Sequence, residues 1–309
     1  MSRPAPGPVR FARNGAVRLA LTDHGGTGGD PLLLVMGLAA SRFWWPQGLL
    51  DALVDRGFHV VVYDQRDAGE STHLPGAPRR TPLATLFRRQ PPAYSAEDMT
   101  DDAAAVMDAV GWDSAHLFGH SMGGLLAQRI ALRHPGRVRS VTSSSALPSD
   151  AKGLGVLRCL RLGTPLRMAR MRFPEGRDGD LALALAVGRA LASPGYPFDA
   201  DDVRDTVARE AARGIAGFRD PDAQSRQIGA KWCGGRLAEL RLPALVLHGE
   251  GDQILRTAAA RRTAAAIPGA RLVTFPGVGH FLPREVWPRY ADEIRALADH
   301  AAGATTAAA

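Results

Sequence analysis

Five short apolar runs, each too continuous to be one face of an amphipathic element, constrain this chain more than any other feature. They cover residues 31–36, 59–64, 115–118, 138–143 and 244–249. A strand that is apolar on both sides must be covered on both sides, which in water calls for a parallel sheet between two layers of helix. Helical periodicity fills the gaps accordingly, over 45–56, 95–110 and 122–134, and again over 256–267 and 286–302 around a last strand at 271–275. Ser95, with Asp98 three residues on, reads as a helix cap. The chain opens differently, with alternating segments at 9–11 and 17–23 around Asn14-Gly15, a dipeptide suited to a hairpin turn. Hairpin and runs together make a mostly parallel sheet of α/β class.

The pattern breaks between 148 and 239. That stretch carries helices, such as 181–191 and 201–212, separated by Pro174, Ser193-Pro194-Gly195 and Asp220-Pro221, with no comparable apolar strand. We expect a core formed by 1–147 and 240–309, and a helical cap over 148–239 lying above the edge where the strands end. The last residues, 303–309, are expected to be a disordered tail.

Composition narrows the function. At 309 residues the chain can bury a sizeable core. The net charge of +7 comes almost wholly from arginine, with Lys152 and Lys231 the only lysines, and without runs of like charge or interleaved aromatics. Nucleic acid is therefore not the expected partner. Cys159 and Cys233 are far apart and form no CxxC pair, so they are expected to be buried apolar residues, neither zinc ligands nor disulfide partners. No cofactor is called for and no metal-ligand spacing stands out. The Pro-rich start at 1–9 lacks an apolar signal segment, and no stretch is long and apolar enough to span a membrane, so a soluble cytoplasmic protein is expected. Oligomeric state is not encoded in any of these features.

Chemistry concentrates at strand ends. In Gly119-His120-Ser121-Met122-Gly123 an apolar run stops at a serine between glycines and a helix begins at once. Such a turn forces the serine into a strained backbone conformation and pushes its hydroxyl outward. With 34 glycines in the chain the pentapeptide alone is weak evidence. Its setting strengthens it: Asp252 and His280 follow two later strands, in the order nucleophile, acid, base. Parallel strands bring all such ends to one edge. A serine hydroxyl needs an imidazole to take its proton, and the imidazolium needs a carboxylate on its other nitrogen. Ser121, His280 and Asp252 fill those roles, with Glu250 a competing acid on the same loop.

The negative oxygen formed on attack needs preplaced donors, each worth about 3–4 kcal/mol. The backbone amides of Met122 and Leu38 are the candidates, the latter after the turn at Gly37. Phe43, Trp44 and Trp45 follow, and read equally well as pocket wall or as core. Phe281, beside the base, is a further pocket candidate. His120 is expected to be a structural or pocket-wall residue, and His248 a hydrogen-bonded buried histidine. The glycines around His280, Gly277 and Gly279, suit a mobile loop.

These residues resemble the α/β-hydrolase superfamily over nearly the whole chain. The nucleophile turn at 119–124, the acid loop at 248–252 and Gly279-His280 match its motifs. So does Tyr63-Asp64-Gln65-Arg66-Asp67-Ala68-Gly69-Glu70-Ser71, except that Asp67 stands where that family usually has glycine. That variant, with Val35-Met36-Gly37 and Ser193-Pro194-Gly195-Tyr196-Pro197, is similar to the aclacinomycin methylesterase-like group. The resemblance implies an eight-stranded sheet with a cap, and a carboxylic ester hydrolase acting on a small-molecule ester. It leaves open a carbon–carbon bond hydrolase or a perhydrolase using the same three residues, or a non-catalytic binding protein on this fold. Dehalogenase and epoxide-hydrolase chemistry would need a carboxylate at the position of Ser121.

Overall fold

The computed structural model describes residues 7–75, 93–215 and 217–308. One eight-stranded sheet runs through the molecule in the order β1-β2-β4-β3-β5-β6-β7-β8. Its strands are β1 (Arg10–Asn14), β2 (Val17–Asp23), β3 (Asp30–Val35), β4 (Phe58–Tyr63), β5 (Ala115–His120), β6 (Val138–Ser144), β7 (Ala244–Gly249) and β8 (Arg271–Phe275). The opening hairpin pairs Asn14 with Val17 around the left-handed Gly15, and β2 joins β4 antiparallel. From β4 to β8 every pairing is parallel.

The continuous apolar runs are explained by the two faces they serve. Leu33, Val35, Val61, Tyr63 and Leu117 pack on one side against α2 (Ala96–Ala109) and α3 (Met122–Arg133). Their sequence neighbours Leu32, Leu34, Val60, Val62 and Phe118 pack on the other, against α1 (Gln47–Asp55) and α10 (Trp287–Ala308). Alternation along each strand thus sends every second side chain to a different helical layer. Ser95 caps α2 with a reciprocal capping box to Asp98.

Between β6 and β7 lie α4 (Leu154–Cys159), α5 (Gly163–Ala169), α6 (Arg177–Leu191), α7 (Ala200–Ala211) and α8 (Pro221–Gly229), with no strand among the described residues. One further helix, α9 (Thr257–Ala266), joins β7 to β8. Among the described residues no helix is long and apolar enough to cross a membrane.

Three expectations are corrected here. The helix expected from residue 45 starts at Gln47, because Pro46 occupies its N-cap and a separate 3-10 turn, Arg42–Trp44, precedes it. The C-terminal end does not fray after residue 302: α10 continues to Ala308, in keeping with the high helix propensity of its alanines. Residues 1–6 and 309, which the terminal expectations also covered, lie outside the described residues. Cys159 is buried, but Cys233 is exposed in the segment after α8, with its amide held by the Glu97 carboxylate at 2.7 Å.

Candidate active site

Ser121 joins β5 to α3 with φ 57° and ψ −124°, a left-handed conformation that costs a non-glycine residue energy. The turn is closed by bonds from the Ser121 amide to the Ser144 carbonyl, 2.8 Å, and from the Gly124 amide to the Ser121 carbonyl, 3.0 Å. Its glycines are there for space. A Cβ on Gly119 would sit 2.1 Å from the Gly123 carbonyl oxygen, and one on Gly123 would sit 2.0 Å from that of Val35. Any side chain at either position would push the turn away from the strand beneath it.

His280 reaches Ser121 from the loop after β8. Its Nε2 lies 2.9 Å from Ser121 Oγ and its Nδ1 lies 2.9 Å from Asp252 Oδ2. An ionised carboxylate can only accept, so Nδ1 carries the proton and Nε2 is left to accept from the serine hydroxyl. Asp252, only 1 % exposed, also receives the amides of Ile254 and Leu255 on Oδ1, at 2.7 and 2.9 Å. Burial would raise this carboxyl, but the His280 ring and the two amides outweigh it and hold the pKa down at about 2. The competing acid, Glu250, turns instead to the Thr274 hydroxyl at 2.8 Å.

His120 holds the His280 backbone from behind. Its Nε2 donates to the His280 carbonyl at 3.0 Å, and its Nδ1 accepts from Ser144 Oγ at 3.1 Å. Burial, followed by the nearby His280, pushes its pKa down to about 3, so it stays neutral. His248 is fully buried, and the Leu255 backbone is the hydrogen-bonding group that acts on its ring. Its position on β7, a strand buried along its whole length, explains the burial.

The loop after β3 carries the candidate amide of Leu38. Gly37 lies against Ser121: a Cβ there would meet the Ser121 Cβ at 3.2 Å. Met122 opens α3, so its amide has no intrahelical acceptor. The loop is pinned by residues that sequence reasoning did not single out as a group. Asp64 and Glu70, from the motif after β4, both take the buried Arg42 guanidinium, which also meets Thr22 Oγ1 at 2.9 Å. Gln227 of α8 accepts the Ala39 amide at 2.8 Å and donates to the Arg66 carbonyl at 2.7 Å. Glu210 of α7 accepts from Ser41 Oγ, 2.6 Å, and Trp44 Nε1, 3.0 Å, and its carboxyl is raised by burial.

The motif's departure from the family pattern also acquires a partner. Asp67 takes φ 64° and binds Arg226 of α8 at 2.8 and 2.9 Å, with both side chains buried. The substitution was visible in the sequence. Its partner, 159 residues later, was not.

A cavity of about 1920 Å³ opens above Ser121 and His280. Leu38, Trp44, Met168, Val187, Phe218 and Phe281 are among its walls, so the helices between β6 and β7 supply much of its lining. Trp44 packs on Phe218 and Phe281, with ring centroids 4.7 and 5.8 Å apart. Trp45 is 1 % exposed and packs on Phe118, so it backs the wall from the core. Phe43 does not line the cavity. Its ring lies between the Arg42 and Arg209 guanidinium groups, 4.5 and 5.6 Å from its centroid, and that attraction turns it away from the site.

Sheet order, the turn at Ser121 and the loop of His280 together define one class of protein, and a family model described as the alpha/beta hydrolase fold matches residues 30–284. The chain belongs to that family. Among its curated relatives is the rhodomycin D methylesterase DauP of Streptomyces sp. (strain C5), 30% identical over 296 residues, spanning 90% of this chain and 94% of the relative. Among solved structures, the esterase RhEst1 from Rhodococcus sp. ECU1013 superposes with a TM-score of 0.68 at 22% identity, covering 94% of this chain and 98% of that one. A mutant of the meta-cleavage product hydrolase CumD from Pseudomonas fluorescens IP01 gives 0.67 at 20% identity, covering 94% and 98%. At these identities the solved structures speak to the fold alone.

Proposed function

We propose that this protein is a serine esterase that hydrolyses the carboxylic ester of a small or medium apolar molecule through an acyl-enzyme. A methyl ester of a polyketide-type compound is the favoured substrate. The observation that carries the reading is the unbroken chain from Ser121 Oγ through His280 to Asp252, opening into an apolar-walled cavity. As Ser121 attacks the ester carbonyl, His280 takes its proton, and Asp252, held ionised, stabilises the imidazolium. The tetrahedral oxygen is met by the Met122 and Leu38 amides. His280 then protonates the departing alcohol, activates a water molecule and releases the acid.

The polyketide preference draws support from the relative named as a rhodomycin D methylesterase and from the cavity, which exceeds the roughly 300–1,000 Å³ usual for small-molecule sites. In this reading residues 148–239 form the cap that shapes the acyl and alcohol pockets, and Trp44 and Phe281 flank the scissile bond. Ser121→Ala is expected to abolish hydrolysis of p-nitrophenyl esters and of polycyclic methyl esters while leaving the melting temperature unchanged. Turnover retained in that variant would overturn the assignment.

A further inference from the structure

The segment Ser193-Pro194-Gly195-Tyr196 lies along the loop that carries His280, and its contacts are denser than packing alone requires. Ser193 is buried, and its Oγ accepts the Gly279 amide at 2.8 Å while donating to the Phe281 carbonyl at 2.8 Å. One hydroxyl therefore satisfies a backbone group on each side of His280. The Phe281 amide bonds the Leu191 carbonyl, 2.9 Å, and the Gly195 amide bonds the Gly277 carbonyl, 2.9 Å. Gln253, next to the acid, accepts the His280 amide at 3.2 Å and donates to the Ala192 carbonyl.

The backbones meet so closely that side chains are excluded. A Cβ on Gly279 would lie 2.6 Å from the Ala192 carbonyl oxygen, and one on Gly195 would lie 2.9 Å from Gly277 Cα. A Cβ on Gly251, in the acid loop, would lie 2.7 Å from the Pro194 ring. The glycines around His280 thus serve close approach, and the mobile loop expected from the sequence is instead a braced one.

We propose that Ser193 is a positioning residue for the reaction, fixing the peptide groups either side of His280 so that Nδ1 faces Asp252 and Nε2 faces Ser121. The proposal rests on the serine esterase reading. A small hydroxyl suits the task because it donates and accepts at once. Alanine would leave the Gly279 N–H and the Phe281 C=O unpaired beside the base, and the loop would relax to repair them. A misplacement of the base by a fraction of an ångström lowers the rate of the chemical step more than it changes substrate binding.

The test compares wild type with Ser193→Ala and Ser193→Thr by p-nitrophenyl ester kinetics and by proton NMR of the far-downfield signal from the His280 Nδ1 proton. Alanine is expected to lower kcat about tenfold or more with KM little changed, and to broaden or erase that signal. Threonine, which keeps the hydroxyl, restores both. Ser193→Cys, which keeps the size and weakens both bonds, reads the same effect if the alanine variant folds poorly. An alanine variant with wild-type kcat and an intact signal overturns the proposal, as does a loss confined to KM. The signal is read without substrate, so a wild type that turns over no ester would sink the esterase reading and leave this test in force.

Discussion

At the scale of single residues, the candidate site was legible wherever a side chain's place follows from its position at a strand end. Ser121, Asp252 and His280 lie far apart in sequence, yet parallel strands bring their ends to one edge, and the structure joins the three by hydrogen bonds of 2.9 Å. Residues whose environment comes from distant partners were harder to read. Phe43 reads from the sequence equally well as pocket wall or as core, and its two arginine neighbours, one of them from α7, lie beyond the reach of local pattern. Asp252 allows a sharp test of the acid role. Its carboxyl, held at a pKa of about 2, is ionised near neutral pH, so Asp252→Asn removes the charge and reverses the hydrogen bond to His280. Esterase kcat at pH 7 should fall by about 10⁴, as in other serine hydrolases of this geometry. A fall of only a few-fold would show that another group supports the base.

At the scale of elements, the strands and the helices that cover them were plain from apolar periodicity, because burial on both faces leaves a local signature. The braces between elements left none. Gln227, Glu210 and Arg226 sit on exposed-looking amphipathic helices, and only the fold shows that each reaches into a loop near the site. The Asp67–Arg226 pair is the clearest case, since both groups are desolvated and each depends on the other. Arg226→Ala strands a buried carboxylate and should cost about 3–5 kcal/mol in a denaturant melt. Replacing both, with Asp67→Gly and Arg226→Met, should recover most of that loss. If the double variant is no more stable than the single, the pair is not what Asp67 is for.

At the scale of the whole molecule, burial of neutral histidines sets a pH dependence. His116 and His120 are pushed from 6.5 to about 4 and about 3, chiefly by burial, and the buried His248 is lowered in the same way. Below about pH 6.5 the unfolded chain takes up protons that the folded protein refuses, so stability falls as pH falls. Each ring contributes up to about 1.4 kcal/mol per pH unit in that window, and Glu210, whose carboxyl is raised by burial, offsets a part. The melting temperature should drop steadily from pH 6.5 to 5, and a flat profile would contradict this account.

The same scale holds what the sequence did not convey: the volume and wall of the cavity depend on how α5, α6, α7 and α8 settle, since each supplies residues to the lining. The central claim, that Ser121 is a nucleophile activated by His280, is tested most directly by intact-protein mass spectrometry after exposure to a fluorophosphonate. Wild type should gain one phosphonyl group, mapped to Ser121, while Ser121→Ala gains none and His280→Ala reacts far more slowly. An unlabelled wild type, or a label on any other residue, would contradict the claim.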